Sequence, residues 1–228
     1  RRRKELIRIA RERSTAYVYD LATVRAAIER LKGIPAVSRV LFAMKANNFG
    51  PILSEVFNAG LGFECVSPAE IERVLAQHPE LDRRRILFTP NFAPRSEYAW
   101  ALQQGVWVTL DNTFPLRHWG GMFRGREIFL RIDTGQGRGH HSHVRTAGVQ
   151  SKFGIPLWEL GEARELVEAT GARVAGLHAH AGSGILRADN WQEVAHILAD
   201  VTPHFPDVRI LDLGGGLGIP EKREQPSV

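Results

Sequence analysis

Short runs of apolar residues alternate with amphipathic helical segments along this 228-residue chain, and no other feature constrains its fold as strongly. Continuous apolar runs of this length are typical of parallel strands that are buried on both faces. Such runs predict strands at residues 40–44, 62–66, 85–88, 106–109, 128–132, 174–178 and 208–212. Repeated strand–helix units with short connections predict an α/β protein with a parallel sheet, either doubly wound or closed as a barrel.

Helix signals lie between the predicted strands. Asp20 is placed to cap one helix, and Ser67 heads a capping box with a proline at the first helical position. We expect further helices over residues 156–167, opened by a proline, and over residues 190–199. An eight-stranded barrel takes about 250 residues, so the pattern predicts a parallel β/α (TIM-like) barrel that stops before its last strand.

Composition excludes several classes of protein. No apolar run approaches the ~20 residues of a membrane-spanning helix, so we expect no membrane partner. Cys65 is the only cysteine, which excludes a disulfide framework and favours a reducing, cytoplasmic setting. The net charge of +5 comes largely from the arginine-rich N-terminus and from residues 83–85. Without a nucleic-acid-binding motif, we interpret this charge as solvated surface and expect no nucleic-acid partner.

Polar side chains follow the predicted strands at their C-terminal ends, where parallel β/α barrels carry their chemistry. These residues are Lys45, Glu64, Asn91, Asp111, Arg131, His178 and His180. A lysine at the inner end of a buried strand suits Schiff-base chemistry when desolvation lowers its pKa. The alternative is that Lys45 extends out of the barrel mouth into solvent.

Two histidines, His178 and His180, share one face of a predicted strand, because alternate strand residues point the same way. Metal ligation by this pair lacks an obvious third ligand, and we expect no metal. A histidine that packs on a planar ring, with Ser183 and glycine amides holding an anion, fits the following Gly-Ser-Gly better. Core histidines before a simple turn remain an alternative.

Three glycines, Gly214, Gly215 and Gly216, come directly after the last predicted strand. Backbone amides in such a loop can approach a phosphate closely, and the loops after the last barrel strands are the usual phosphate site. A plain glycine-rich turn is the alternative. A dinucleotide-binding fingerprint fits poorly, because Ile219 occupies the position of its last glycine.

The long glycine- and histidine-rich segment 133–151 is expected to be a functional loop. Its histidines at positions 140, 141 and 143 lack a nearby acidic partner, so we interpret them as a solvated or substrate-facing loop rather than a metal cluster. Cys65 is expected to be a small buried hydrophobe, because nothing arranges it with a base.

Five segments then occur together in one order: 43–47 (AMKAN), 62–67 (GFECVS), 151–155 (SKFGI), 178–184 (HAHAGSG) and 211–218 (LDLGGGLG). From about Tyr17 onward the chain resembles the fold-type III decarboxylases that depend on pyridoxal 5'-phosphate (PLP), most closely the diaminopimelate decarboxylases. The segment 131–141 is similar instead to that of bifunctional aspartate kinase/diaminopimelate decarboxylase chains, which implies a preceding kinase domain.

The resemblance implies a role for each predicted site residue. Lys45 would hold PLP covalently, and His180 would stack on the pyridine ring. Glu64 and Arg131 would lie near the ring and the lysine linkage. Ser183 would bind the phosphate together with the backbone amides of Gly214, Gly215 and Gly216.

The resemblance also implies an activity and a domain organisation. The reaction would be decarboxylation of meso-diaminopimelate to L-lysine and CO2 by a homodimer. Ornithine, arginine or carboxynorspermidine decarboxylation, an alanine-racemase-like activity and a non-catalytic PLP-binding barrel are the alternatives. Residues 1–20 would be a helix and strand of a second β-domain. Residues 21–228 would be an incomplete PLP-binding barrel, which we expect to be inactive alone.

Overall fold

The computed structural model describes residues 2–13, 15–135 and 152–220, in which eight strands alternate with eight α-helices. The strands are β1 (Leu41–Ala43), β2 (Gly62–Cys65), β3 (Ile86–Phe88), β4 (Trp107–Leu110), β5 (Glu127–Asp133), β6 (Ile155–Pro156), β7 (Arg173–His178) and β8 (Ile210–Asp212). The helices are α1 (Arg3–Glu12), α2 (Leu21–Lys32), α3 (Gly50–Asn58), α4 (Pro68–Gln77), α5 (Arg95–Gln104), α6 (Phe114–Trp119), α7 (Leu160–Thr170) and α8 (Asp189–Val201).

The strands form one parallel sheet in the order β1-β2-β3-β4-β5-β7-β8, and β6 pairs with the C-terminal end of β5. The sheet is curled. Its curvature brings Lys45, after β1, close enough to His180, after β7, for the lysine charge to lower the pKa of that histidine. A curled parallel sheet with helices between its strands confirms the predicted β/α barrel architecture.

All seven predicted strands between residues 40 and 212 are present, and their bounds differ from the prediction by no more than two residues. The sequence did not predict β6, whose Ile155 side chain is fully buried against β5. The prediction that Pro156 opens a helix was wrong, because Pro156 pairs with Asp133 at the end of β5. A 3-10 turn, Leu157–Glu159, follows it, and α7 begins only at Leu160.

Both predicted helix caps are confirmed. A carboxylate oxygen of Asp20 accepts the amide of Ala22 at 3.0 Å, at the start of α2. The Ser67 hydroxyl accepts the Glu70 amide at the start of α4, and the Glu70 carboxylate accepts the amide of Val66 at 2.7 Å. These bonds satisfy amide groups that the first helical turn leaves without partners.

The core is built on the central strands, in which nearly every residue is buried, whereas the residues of β1 and β8 are partly exposed. Cys65 has no exposed surface and burial raises the pKa of its thiol, so its predicted role as a buried hydrophobe is confirmed. Helix α1 contributes no buried residue. Residues 16–19, which would supply the strand of the second β-domain, join no sheet in the described part of the chain. No described helix is long and apolar enough to span a membrane.

Candidate functional site

Lys45 and Glu64 form an ion pair at the C-terminal ends of the first two strands. The Lys45 Nζ atom lies 3.7 Å from Oε1 of Glu64. The Lys45 side chain is 54% exposed, so it extends from the mouth of the sheet instead of being buried. Its neighbour Met44 fills the core within the same 3-10 turn, which directs Lys45 to the opposite side. The amine of Lys45 is therefore accessible at the mouth of the sheet.

Arg131, near the end of β5, lies in a buried polar cluster. Its guanidinium donates hydrogen bonds to Asn91 at 2.9 Å and to Asp111 at 3.2 Å, and it packs 4.8 Å from the ring centre of Phe153. Burial raises the pKa of Asp111, although the charge of Arg131 opposes this shift. Burial likewise lowers the pKa of Arg131, against the charges of Asp111 and Glu64. Each partner thus offsets much of the cost of burying the other.

Asp212, the last residue of β8, connects the end of β7 to the glycine loop. Its Oδ2 atom lies 3.0 Å from Nδ1 of His178, the residue paired with it across the two strands. Its Oδ1 atom accepts the amide of Gly214 at 2.9 Å. Burial alone would raise the pKa of Asp212, but His178 and the Gly214 amide hold it below its usual range. Asp212 is therefore an anion that fixes where the glycine loop begins.

His180 lies among positive charges just beyond β7. The pKa of His180 is lowered to about 4. Burial is the largest cause, and the charges of His178, Lys45 and Arg131 act in the same direction. The imidazole is therefore neutral at pH 7. A neutral, largely buried ring suits packing against another aromatic ring better than it suits ion pairing.

The loops after β7 and β8 are hydrogen-bonded to each other through their backbones. Ile185 donates its amide to the carbonyl of Gly216, and Gly218 donates to the carbonyl of Ile185, both at 2.8 Å. Gly216 has a φ of +89°, and a Cβ atom there would lie 2.0 Å from the carbonyl oxygen of Gly182. Only glycine therefore permits this close approach. At Gly215, in contrast, a Cβ atom would meet no other atom within 4 Å, so the centre of the loop faces open space.

The structure brings most of the predicted site residues to one end of the sheet. The charges of Lys45 and Arg131 both act on His180, and Glu64 acts on Arg131. Ser183 is exposed on the loop that joins the glycine loop. Gly214 differs from the prediction in one respect, because its amide already donates to Asp212. The histidines at positions 140, 141 and 143 lie outside the described residues.

Two residues of this site had no predicted role. Asp212 ends a strand directly before the glycines, and this position was sufficient reason to include it with the other residues at strand ends. Phe153 lies in one of the segments that carry the family resemblance, but no sequence signal places an aromatic ring against a distant arginine. Its contact with Arg131 arises because β6 pairs with β5 and brings Phe153 to the end of that strand.

Residues 21–228 match the family described as pyridoxal-dependent decarboxylase, pyridoxal binding domain. The chain therefore belongs to the pyridoxal-dependent decarboxylases, and its cofactor is PLP. The site fits this group, because it combines an exposed lysine amine, a neutral and partly buried imidazole, and a loop whose backbone approach only glycine permits.

The chain is similar to the diaminopimelate decarboxylase of Methanothermobacter thermautotrophicus, with 32% identity over 92% of this chain and 51% of the relative. That of Streptomyces coelicolor is 31% identical over 93% of this chain and 48% of the relative. The chain thus spans about half the length of these curated relatives.

Solved structures agree on the fold. A crystal structure of diaminopimelate decarboxylase superimposes with a TM-score of 0.78 and 27% identity, covering 90% of this chain and 49% of that one. The arginine decarboxylase of Paramecium bursaria Chlorella virus, bound to agmatine, has a TM-score of 0.81 at 22% identity, covering 98% of this chain and 61% of that one. At this identity the second likeness extends to the fold alone.

Proposed function

We propose that the full-length protein uses PLP to decarboxylate meso-diaminopimelate to L-lysine and CO2. The observation that carries this proposal is the identity of 31–32% to curated diaminopimelate decarboxylases.

Lys45 is the residue that we assign to the covalent attachment of the cofactor. Its amine is accessible, and the Glu64 carboxylate 3.7 Å away supports its position at the mouth of the sheet. Glu64 is itself largely buried, with 18% of its side chain exposed, so its carboxylate is a well-placed partner for the exposed amine. In this position the Lys45 amine would hold the cofactor and could move a proton to or from the substrate.

His180 and the Arg131 cluster would orient the cofactor ring. We infer that the neutral imidazole of His180 packs on the face of the ring, which excludes water without adding a charge. Arg131 is held by Asn91 and Asp111, so its guanidinium offers a positive charge whose position varies little. When bound, PLP supplies an electron sink for the electron pair that remains when CO2 leaves the substrate.

The phosphate would lie in the glycine loop. The open space at Gly215 supports this assignment, together with the exposed Ser183 on the adjoining loop. We assign phosphate binding to the Ser183 hydroxyl and to the amides of Gly215 and Gly216. The amide of Gly214 donates to Asp212 instead, so we assign Gly214 the role of setting the direction of the loop.

We further infer that residues 1–20 belong to a second β-domain and residues 21–228 to the PLP-binding barrel. The family match begins at residue 21, and α1 buries none of its residues, which supports this division. Tyr17, in the first of these segments, is 90% exposed. We also propose a homodimer, as the family resemblance implies, and a cytoplasmic location, in keeping with a sequence that holds a single cysteine.

The test is a substrate comparison with the full-length protein, loaded with PLP. CO2 release would be measured from meso-diaminopimelate, arginine and ornithine at equal concentrations. We expect the largest kcat/KM with meso-diaminopimelate. A larger value with arginine or ornithine would reassign the substrate, and PLP binding without CO2 release from any of them would favour the non-catalytic PLP-binding barrel.

A further inference from the structure

A cavity lies at the N-terminal ends of the strands, at the end of the sheet opposite to Lys45. Its volume is about 280 Å³, and we call it the arginine cavity because its lining includes Arg84, Arg126 and Arg173. Trp107 and Glu127 line it as well. Arg126 directly precedes β5, Arg173 begins β7 and Arg84 precedes β3, so the sheet itself brings the arginines together. The backbone of Arg173 donates to the carbonyl of Arg126 at 2.9 Å.

The positive charge of this cavity is only partly compensated. Glu127 accepts hydrogen bonds from Arg84 and from Arg209, both at 2.8 Å. The hydrogen bond from Arg84 is the largest cause that lowers the pKa of Glu127, so this carboxylate is ionised and already shared by two cations. Among residues 2–13, 15–135 and 152–220, no carboxylate forms an ion pair with Arg126 or Arg173. The cavity therefore carries an excess of positive charge.

Trp107 contributes its aromatic ring to the cavity wall. The residue is 9% exposed, and its indole Nε1 atom is buried without a hydrogen-bond partner in the described part of the chain. Arg39 and Arg84 lie over the ring, 5.3 and 5.7 Å from its centre. The Nε1 atom has almost no accessible surface, so a ligand in the cavity does not reach it. What Trp107 contributes is the aromatic ring, over which the two guanidinium groups lie.

We propose that the arginine cavity binds a small anion with at least two negative charges on phosphate or carboxylate groups. Arginine guanidinium groups bind both kinds of oxygen pair through two parallel hydrogen bonds. Ligand pockets usually measure about 300–1,000 Å³, so a cavity of this size suits a small anion better than a nucleotide. The site is separate from the proposed cofactor site, and its ligand would not compete with PLP.

The alternative is that the arginines only fix the beginnings of the strands. Arg84 and Arg209 do so through Glu127, but Arg126 and Arg173 have no such partner among the described residues. The two interpretations differ in what they expect of Arg126 and Arg173. A ligand site needs their side-chain charges, whereas a purely structural cluster does not.

The experiment is isothermal titration calorimetry on the full-length protein saturated with PLP, so that the glycine loop is already filled. Inorganic pyrophosphate and citrate are the two probes, because they separate phosphate from carboxylate chemistry. We expect saturable binding of at least one probe. The double variant Arg126→Gln/Arg173→Gln should weaken it by at least about tenfold, the loss of roughly one charge-assisted contact. The control Arg11→Gln/Arg30→Gln removes the same charge from helices that do not line the cavity, and it should bind as the parent does.

Trp107→Phe provides a second control, because it keeps the aromatic ring beside Arg39 and Arg84 and removes only an indole N–H that a ligand does not reach. We expect it to bind the same probe as the parent does, and circular dichroism would establish that each variant is folded. If neither probe binds at millimolar concentration, the proposal is wrong. It is equally wrong if Arg126→Gln/Arg173→Gln and Arg11→Gln/Arg30→Gln lose affinity to the same extent.

Discussion

Arginines occupy both ends of β5, and their surroundings differ in every respect. Arg131, at the C-terminal end, has 9% of its side chain exposed and is paired with Asp111, which has 1% exposed. Arg126, directly before the strand, is exposed and has no ion pair among the described residues. One residue type thus serves as half of a buried pair at one end and as open positive charge at the other.

The same contrast holds for the whole sheet. At the C-terminal end, Lys45 is paired with Glu64 and Arg131 with Asp111, and Nδ1 of His178 lies 3.0 Å from Oδ2 of Asp212. At the N-terminal end, one carboxylate, Glu127, serves two arginines. The compensated end is a prearranged site, and the uncompensated end can still gain a partner. Substitutions at the two ends should therefore differ in kind as well as in size.

The largest expected effect separates Arg131 from the exposed Arg124, which lies in the turn before β5. Arg131→Gln leaves the Asp111 carboxylate buried without its cation, and this should cost about 3–5 kcal/mol of unfolding free energy. Arg124→Gln should change it by no more than about 0.5 kcal/mol. Urea denaturation of the full-length protein measures both. Equal losses for the two variants would contradict the contrast between paired and open arginines.

A smaller effect depends on pH and on His180. The pKa of His180 is about 4 in the folded protein, against about 6.5 for an unfolded chain, so the unfolded state binds more protons between these values. The stability that neutral His180 contributes is complete above pH 6.5 and is lost as the pH falls towards 4, by about 3 kcal/mol. In His180→Gln this part of the pH dependence should disappear, and in the control His196→Gln it should remain. If His180 were already protonated in the folded protein, His180→Gln and His196→Gln would give the same denaturation curves between pH 4 and 7.

The smallest of these effects concerns the glycine loop. Gly216→Ala forces a Cβ atom against the Gly182 carbonyl at a φ of +89°, which should cost about 1–3 kcal/mol locally. We expect weaker PLP binding by about tenfold or more, measured by absorbance titration. Gly161→Ala, in α7, has no other atom within 4 Å of its new Cβ and should leave PLP affinity unchanged. If Gly216→Ala bound PLP as tightly as the parent, the loop would not be the phosphate site.

The sequence predicts the strands well because most of them are buried on both faces and read as continuous apolar runs. It does not predict β6, since two residues are too few to give a pattern, and the error at Pro156 follows from the same cause. Lys45, Glu64, Arg131 and His180 could be named because strand ends in such a fold gather at one edge. Their roles, and those of Ser183 and the glycines, stay predictions.

The arginine cavity was beyond the reach of the sequence for a different reason. Residues 83–85 read locally as a basic turn, and nothing in the chain relates them to Arg126 or Arg173. Only the parallel register, which sets the beginnings of β3, β5 and β7 side by side, turns separate charges into one cavity.

The most direct test of the account is to locate the lysine that binds the cofactor. The full-length protein would be incubated with PLP and reduced with sodium borohydride, and the labelled peptide would be mapped by mass spectrometry. We expect the label on Lys45, and we expect none at that position in Lys45→Arg. Stoichiometric label on Lys32 or Lys152 instead, with Lys45 unmodified, would contradict the account.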